Sequence, residues 1–154
     1  MEIIDLKFDP QHIPVLAAWH QQEWSYFNPE LTVAQRVEWM KSYLGTSLVP
    51  STFIAKEDEL LGSAAIIEHD LETRADLSPW LASVFVAPEY RGKGVGSKLV
   101  IHVMEKAKEA GIPLLYLFTP DKEHFYQRLS WQTISKEDYQ GHLVTVMQVN
   151  LITK

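Results

Sequence analysis

The sequence predicts one mixed α/β domain in which a mostly antiparallel sheet of about seven strands carries helices on both faces. Three observations lead there. The 154 residues amount to a single domain by length and can bury a substantial core. Apolar residues recur at strand and helix periods in the order β-αα-βββ-α-β-α-ββ, which clusters strands as well as alternating them with helices. No repeat, low-complexity tract or Pro/Gly/Ser-rich linker divides the chain, so a single unit over residues 1–154 is expected.

Residues 1–8 read as a short first strand. The stretch 10–27 opens on Pro10, which a helix start tolerates, and sets Ile13, Leu16, Ala17, His20 and Trp24 at helical spacing. A second helix is expected over 31–45, with Thr32 as N-cap, Val33, Val37, Met40 and Leu44 as its apolar stripe, and Gly45 at its end. Three β-rich runs follow at 51–58, 59–69 and 78–88, the first two tightly connected. Val95, Leu99, Val100, Val103, Met104 and Ala107 return to helical spacing until Gly111 and Pro113 stop it. Residues 114–118 form a short buried strand, 121–130 a short helix, and 131–135 with 142–152 a closing pair of strands.

Composition excludes several classes. A net charge of −6 offers no basic face for nucleic acid and suits a cationic partner. No apolar run nears the ~20 residues of a membrane span, and the acidic start "MEIIDLKFDP" has no apolar signal-peptide segment. With no Cys there is no disulfide, thiolate metal site or Cys nucleophile, and a reducing cytoplasm is the expected compartment. His20, His102 and His124 fall on three different helices without metal-ligand spacing, so no metal is expected.

The informative stretch is "APEYRGKGVGSKLV", residues 87–100. Gly92, Gly94 and Gly96 lie between a strand end and a helix N-terminus, where free amides and the helix dipole favour an anion. Glycine lets backbone approach a phosphate closely and adopt positive φ. Arg91 and Lys93 add positive charge. The spacing G-x-G-x-G fits neither the Walker pattern nor the dinucleotide pattern G-x-G-x-x-G.

"VAPEYRGKGVGSKLV" resembles the acyl-CoA pyrophosphate loop of the GNAT family of N-acetyltransferases, Arg/Gln-x-x-Gly-x-Gly/Ala, with Arg91, Gly94 and Gly96 at the pattern positions. "FYQRLSW", some thirty residues on, resembles the family's Phe-Tyr-x-x-x-Gly-Phe segment. The resemblance covers residues 80–131 and implies that the phosphates are those of coenzyme A, with acetyl-CoA as co-substrate. It implies a bulged strand splaying from its neighbour to leave a V-shaped cleft. There the backbone of Val84, Phe85 and Val86 would bind pantetheine, and Gly92, Lys93, Gly94, Val95, Gly96 and Ser97 would offer amides to the pyrophosphate beside Arg91. A backbone N–H near Val86 would polarise the acetyl carbonyl. Tyr126 matches the tyrosine that protonates the departing thiolate, and Thr119 stands where many relatives contact pantetheine through Asn. Ser130 replaces a usual Gly, which suggests a different turn at the helix end.

The general base is not legible in the motifs. The histidine positions that serotonin acetyltransferases use on the fourth strand correspond to Trp80 and Ala82, and the Glu that histone acetyltransferases use on this strand is likewise missing. Glu68, His69, Asp70 and Asp76, which flank the entry to that strand, are the nearest candidates, with water as the other route. The connection between the first two helices would line the acceptor site. Its Trp24, Tyr26 and Phe27, beside Glu23 and Glu30, suit a cationic amine, and Trp80 would form another wall. The expected activity is direct acetyl transfer in a ternary complex to a primary amine of a small molecule, its rate rising with pH until Tyr126 or the thiol titrates. A Cys acyl-enzyme is excluded. A non-catalytic acyl-CoA-binding sensor and a protein or peptide N-acetyltransferase are the alternatives, and a homodimer is left open.

Overall fold

The structure is a computed structural model and describes residues 1–152. Strand β1 (Glu2–Asp5) leads through two 3-10 turns into helix α1 (Ile13–Trp24), and helix α2 (Val33–Ser42) follows. Next come strands β2 (Ser51–Lys56), β3 (Leu60–Ile67) and β4 (Trp80–Val86), then helix α3 (Val95–Glu109). Strand β5 (Leu114–Thr119), helix α4 (Glu123–Gln127) and the strands β6 (Gln132–Tyr139) and β7 (His142–Asn150) complete it. The seven strands form one sheet in the order β1-β2-β3-β4-β5-β7-β6, antiparallel at every pairing except β4 with β5. This is the expected architecture, with helices on both faces.

Local chemistry explains most boundaries. Thr32 and Gln35 close a reciprocal capping box at the start of α2. That helix stops at Ser42, short of Gly45, because the Tyr43 amide turns back to the Met40 carbonyl. Gly111, at φ +81, ends α3, and the Ile112 amide reaches back 3.0 Å to the Ala107 carbonyl. The last hairpin turns on Gln140 and Gly141, both at positive φ, between the paired residues Tyr139 and His142. β6 therefore runs four residues further than its sequence suggested.

Side chains alternate across the sheet, so each face is a core. Under α3 and α4 lie Phe53, Ala64, Leu81, Leu115, Leu117 and Met147. The opposite face carries α1 and α2 over Ile54 and Leu60. Farther along that face, Trp80, Val144 and Val146 are covered by Phe27 from the α1–α2 connection.

One irregularity positions the site. From Ala82 to Phe85, β4 takes three steps where β3 takes two between Ala65 and Ser63. The extra residue sits at Ser83, whose φ is +53. It reverses the facing of the side chains that follow. Val84 and Val86 join Leu81 on the α3 face, while Phe85 turns to α1 against Trp19 and Trp24. Gly62 makes room for this, since a Cβ there would stand 2.3 Å from the Phe85 carbonyl oxygen. Gly62→Ala is expected to cost about 2 kcal/mol of stability, the scale of core overpacking. Urea unfolding would read it as a lower midpoint at unchanged slope. An unchanged midpoint would mean that β4 backs away freely.

Candidate active site

Among the described residues, β4 and β5 pair in register only at Trp80 and Tyr116, where the Tyr116 amide also bonds the Pro79 carbonyl at 3.1 Å. Beyond that point the two strands part. A cavity of about 640 Å³ opens in the gap and crosses the sheet. Leu81, Leu117 and Tyr126 line it from the α3 side, and Trp24, Phe27, Phe118 and Tyr139 from the other. Ala82, Ser83 and Val84 of β4 and Leu117, Phe118 and Thr119 of β5 also face it.

The glycine loop follows the C-terminal end of β4 and is exposed from Arg91 to Gly94. Gly94 is the N-cap of α3, at φ +85, and no side chain caps the helix. The first helical bond runs from the Lys98 amide to the Gly94 carbonyl, 3.1 Å. The amides of Val95, Gly96 and Ser97 are thus left without intrahelical acceptors at the positive end of a 15-residue helix. Gly92 also has positive φ, and nothing lies within 4 Å of where a Cβ on Gly92 or Gly94 would be. Gly96 serves packing instead, with Phe125 and Val86 both 3.5 Å from its would-be Cβ. Arg91 is tied down: its Nε donates to the Val86 carbonyl at 2.7 Å, its guanidinium lies 5.4 Å from the Phe85 ring centre, and Glu23 is 3.5 Å away. The Lys93 ammonium lies 5.9 Å from the Tyr90 ring centre.

The expected cofactor residues therefore fall in two zones. Val84 and Thr119 are on the cavity wall, whereas Arg91 to Ser97 lie off it, in the loop and first turn that follow β4. Phe85 is buried beneath α1 and lends only its backbone to this side. The Thr119 hydroxyl accepts from the amides of Lys122, at 3.0 Å, and Asp121, at 3.4 Å, which organises the turn before α4 and leaves its own O–H to donate.

Tyr126 is 7% exposed. Its ring is held edge-on by Phe125 and Trp131, with centroids 4.9 and 6.1 Å away. Among the described residues nothing hydrogen-bonds its hydroxyl, and the side chain lines the cavity. Burial first, and the charge of Asp121 second, push its pKa well above the usual tyrosine value. Ser130 takes φ +79, and the Trp131 amide returns to the Tyr126 carbonyl at 3.1 Å. The helix thus ends in the left-handed turn a glycine would make, rather than in a different one.

At the acceptor end, Trp24, Tyr26 and Phe27 all line the cavity, with Tyr26 tilted on Phe27 at 4.4 Å. Trp80 is a correction. It has no exposed surface, because it precedes the bulge and points into the core under Phe118, and its Nε1 donates to the Leu77 carbonyl at 2.7 Å. Sequence reading missed Arg36, Trp39, Tyr43 and Tyr139 on the cavity wall. The signal was a second polar–aromatic face on α2, since Arg36, Trp39 and Tyr43 repeat at helical spacing beside the apolar stripe. Gly62 was likewise readable, as a lone glycine within a strand. His20 is a core residue bonded to the Ser63 hydroxyl at 3.0 Å; burial pulls its pKa down to about 3, so it stays neutral. Among the described residues no His/Asp/Glu group that could hold a metal ion is gathered, and no helix is long and apolar enough to cross a membrane.

Residues 13–131 match the family model described as Acetyltransferase (GNAT) family. A curated amino-acid acetyltransferase of Aeromonas salmonicida (strain A449) is 31% identical over 87 residues, which are 56% of this chain and 19% of that protein. The chain thus aligns to about a fifth of the length of the curated relatives it matches. An aminoglycoside 6'-N-acetyltransferase solved with coenzyme A superposes over 100% of this chain and 99% of its own, with a TM-score of 0.75 at 17% identity. A ribosomal-protein-alanine N-acetyltransferase from Brucella melitensis does so over 97% and 99%, with a TM-score of 0.74 at 16% identity. At these identities the structural likeness is one of fold.

Proposed function

Because the chain belongs to the acetyltransferase (GNAT) family, we propose that it transfers acetyl from acetyl-CoA directly to a primary amine of a small cationic molecule, both substrates lying together in the cleft. The observation that carries this reading is a cavity open through the sheet, with the Tyr126 phenol, free of hydrogen bonds to described residues, on one side and an acidic, aromatic wall on the other. Glu23, Asp70 and Glu72 outnumber Arg36 on that wall, which favours a cation among ring faces. The absence of Cys fits a reducing cytoplasm.

The residues present fit the co-substrate. The free amides of Val95, Gly96 and Ser97, the left-handed turn at Gly92 and Gly94, and the charges of Arg91 and Lys93 suit a pyrophosphate. The backbone of Val84 to Val86 suits the pantetheine arm, with the Thr119 hydroxyl opposite. Acetyl-CoA supplies an activated acetyl thioester. Tyr126 then holds a proton at its hydroxyl for the departing sulfur, and burial keeps that proton in place at neutral pH.

The test is release of CoA thiol from acetyl-CoA with aminoglycosides, polyamines, arylalkylamines and short peptides. The chain has no thiol of its own to raise the background. Steady release with a cationic small amine supports the proposal. Acetyl-CoA binding without turnover on any amine would make the protein a sensor, and turnover on peptides alone a protein acetyltransferase.

Arg91→Ala is expected to raise the KM for acetyl-CoA several-fold, and more so at low salt, because it removes a cation and frees the Val86 carbonyl. Initial rates at two ionic strengths check this. A change confined to the amine's KM would move Arg91 out of the cofactor site.

A further inference from the structure

Resting on the transferase reading, we propose that Asp70 is the general base, taking the proton of the acceptor's ammonium group at the end of the cleft opposite the glycine loop. Asp70 lies three residues past β3, whose last residue pairs with the first of β4, whereas the loop follows the last. A molecule reaching from this end toward Tyr126 would pass the gap between the strands.

The other residues near this entry are disqualified by their surroundings. Asp76 is held by both arms of Arg74, Nε and Nη2 each at 3.1 Å. Glu68 is exposed and off the cavity wall; His69 is on it but exposed. Glu72 accepts from the Tyr139 hydroxyl at 3.2 Å, and Glu23 lies 3.5 Å from Arg91. Asp121 is exposed and belongs to the Tyr126 end. Asp70 is half-buried on the wall, and among the described residues no hydrogen bond or ion pair engages its carboxylate.

The groups facing it do not compete for the proton. Tyr43 at the end of α2 and Tyr139 of β6 feel its charge, and Arg36 of α2 with His69 and Glu72 of its own loop share the cavity wall with it. Burial first, and Asp70's charge among the further causes, raise the pKa of Tyr43 and of Tyr139, so both stay protonated. The Arg36 guanidinium donates to Gln21 at 2.8 Å. Desolvation pushes the Asp70 carboxyl from 3.8 up to about 7, which makes it a far better proton acceptor than an ordinary aspartate.

The step balances. Asp70 takes one proton from R–NH₃⁺. The freed lone pair forms the C–N bond as the C–S bond breaks. Tyr126 gives its proton to sulfur and recovers one from the same nitrogen, and Asp70 releases its proton to solvent. The sum is ammonium plus thioester giving amide, thiol and one proton.

Asp70→Asn tests this with two readings. The first is kcat/KM against pH, using the best amine of the panel. Asp70→Asn should be at least tenfold slower at pH 7, the lower end of general-base effects being larger still. The deficit should shrink as pH nears the amine's own pKa, where free amine needs no base. A deficit constant with pH, or a change in the amine's KM alone, overturns the assignment. The second reading needs no turnover. A carboxyl whose pKa is raised on folding weakens the fold as pH rises from about 4 to 7. The Tm advantage of Asp70→Asn over the wild type should therefore grow across that window. Parallel Tm curves overturn the buried, basic carboxyl. An active wild type with a pH-flat deficit sinks this inference alone, whereas a wild type inactive on every amine sinks the transferase reading and this with it.

Discussion

Tyr126→Phe is expected to lower turnover by roughly 10²-fold while leaving acetyl-CoA affinity unchanged. The substitution removes one oxygen from a ring that is 7% exposed and wedged between Phe125 and Trp131. Its packing therefore survives. No hydrogen bond to a described residue is lost, so the fold has little to lose either. What goes is the hydroxyl on the cavity wall that we propose as proton donor. Burial and Asp121 hold the phenol protonated well beyond the ordinary tyrosine range. A fall in rate at high pH from this group thus lies beyond accessible pH, contrary to what an unperturbed tyrosine suggests. Thiol release gives kcat, calorimetry gives Kd for acetyl-CoA, and thermal unfolding checks integrity. Equal losses of affinity and stability would assign Tyr126 a structural role. An unchanged kcat would mean that the thiolate leaves unaided.

Gly94→Val should weaken acetyl-CoA binding at least tenfold, ~1.4 kcal/mol. Gly94 sits at φ +85 and ψ 5, a conformation that costs a residue with a Cβ about 1–2 kcal/mol and a β-branched one more. Nothing lies within 4 Å of the missing Cβ, so a Cβ there meets open space. The loss then takes one of two routes. Either the turn relaxes and re-aims the amides of Val95, Gly96 and Ser97, or the side chain holds the phosphates off. Gly94→Asn separates the two, because Asn tolerates left-handed backbone. Retained affinity in Asn points to the turn, and equal loss to close approach. Unchanged calorimetric affinity in a folded Gly94→Val protein would remove the loop from the binding site.

What the sequence by itself determined is the set of features carried by neighbours in the chain. The apolar stripe of α3 and its stop at Gly111 are short-range, as is the Thr32 cap of α2. The glycine loop is contiguous from Arg91 to Gly96, so its spacing could be compared with family patterns directly. Element order followed, and with it the sheet. Where local signals were weak, boundaries slipped: the polar run at 136–138 hid the end of β6, which pairing with β7 supplies.

Only the tertiary structure decided the rest, because it depends on what distant elements bring to one place. The bulge at Ser83 comes from β3 and β4 pressing together over Gly62, and it reverses which face every later side chain meets. That reversal sends Phe85 to α1 and leaves Val84 at the gap, while Trp80, which precedes it, stays in the core. Arg36, Trp39, Tyr43 and Tyr139 meet on one wall across a hundred residues of chain. In the sequence Asp70 and Asp76 are equivalent acids in one loop. In the fold Arg74 captures Asp76, while Asp70 is desolvated with no partner among the described residues. Desolvation is a sum over everything packed around a group, and no window of sequence contains that sum.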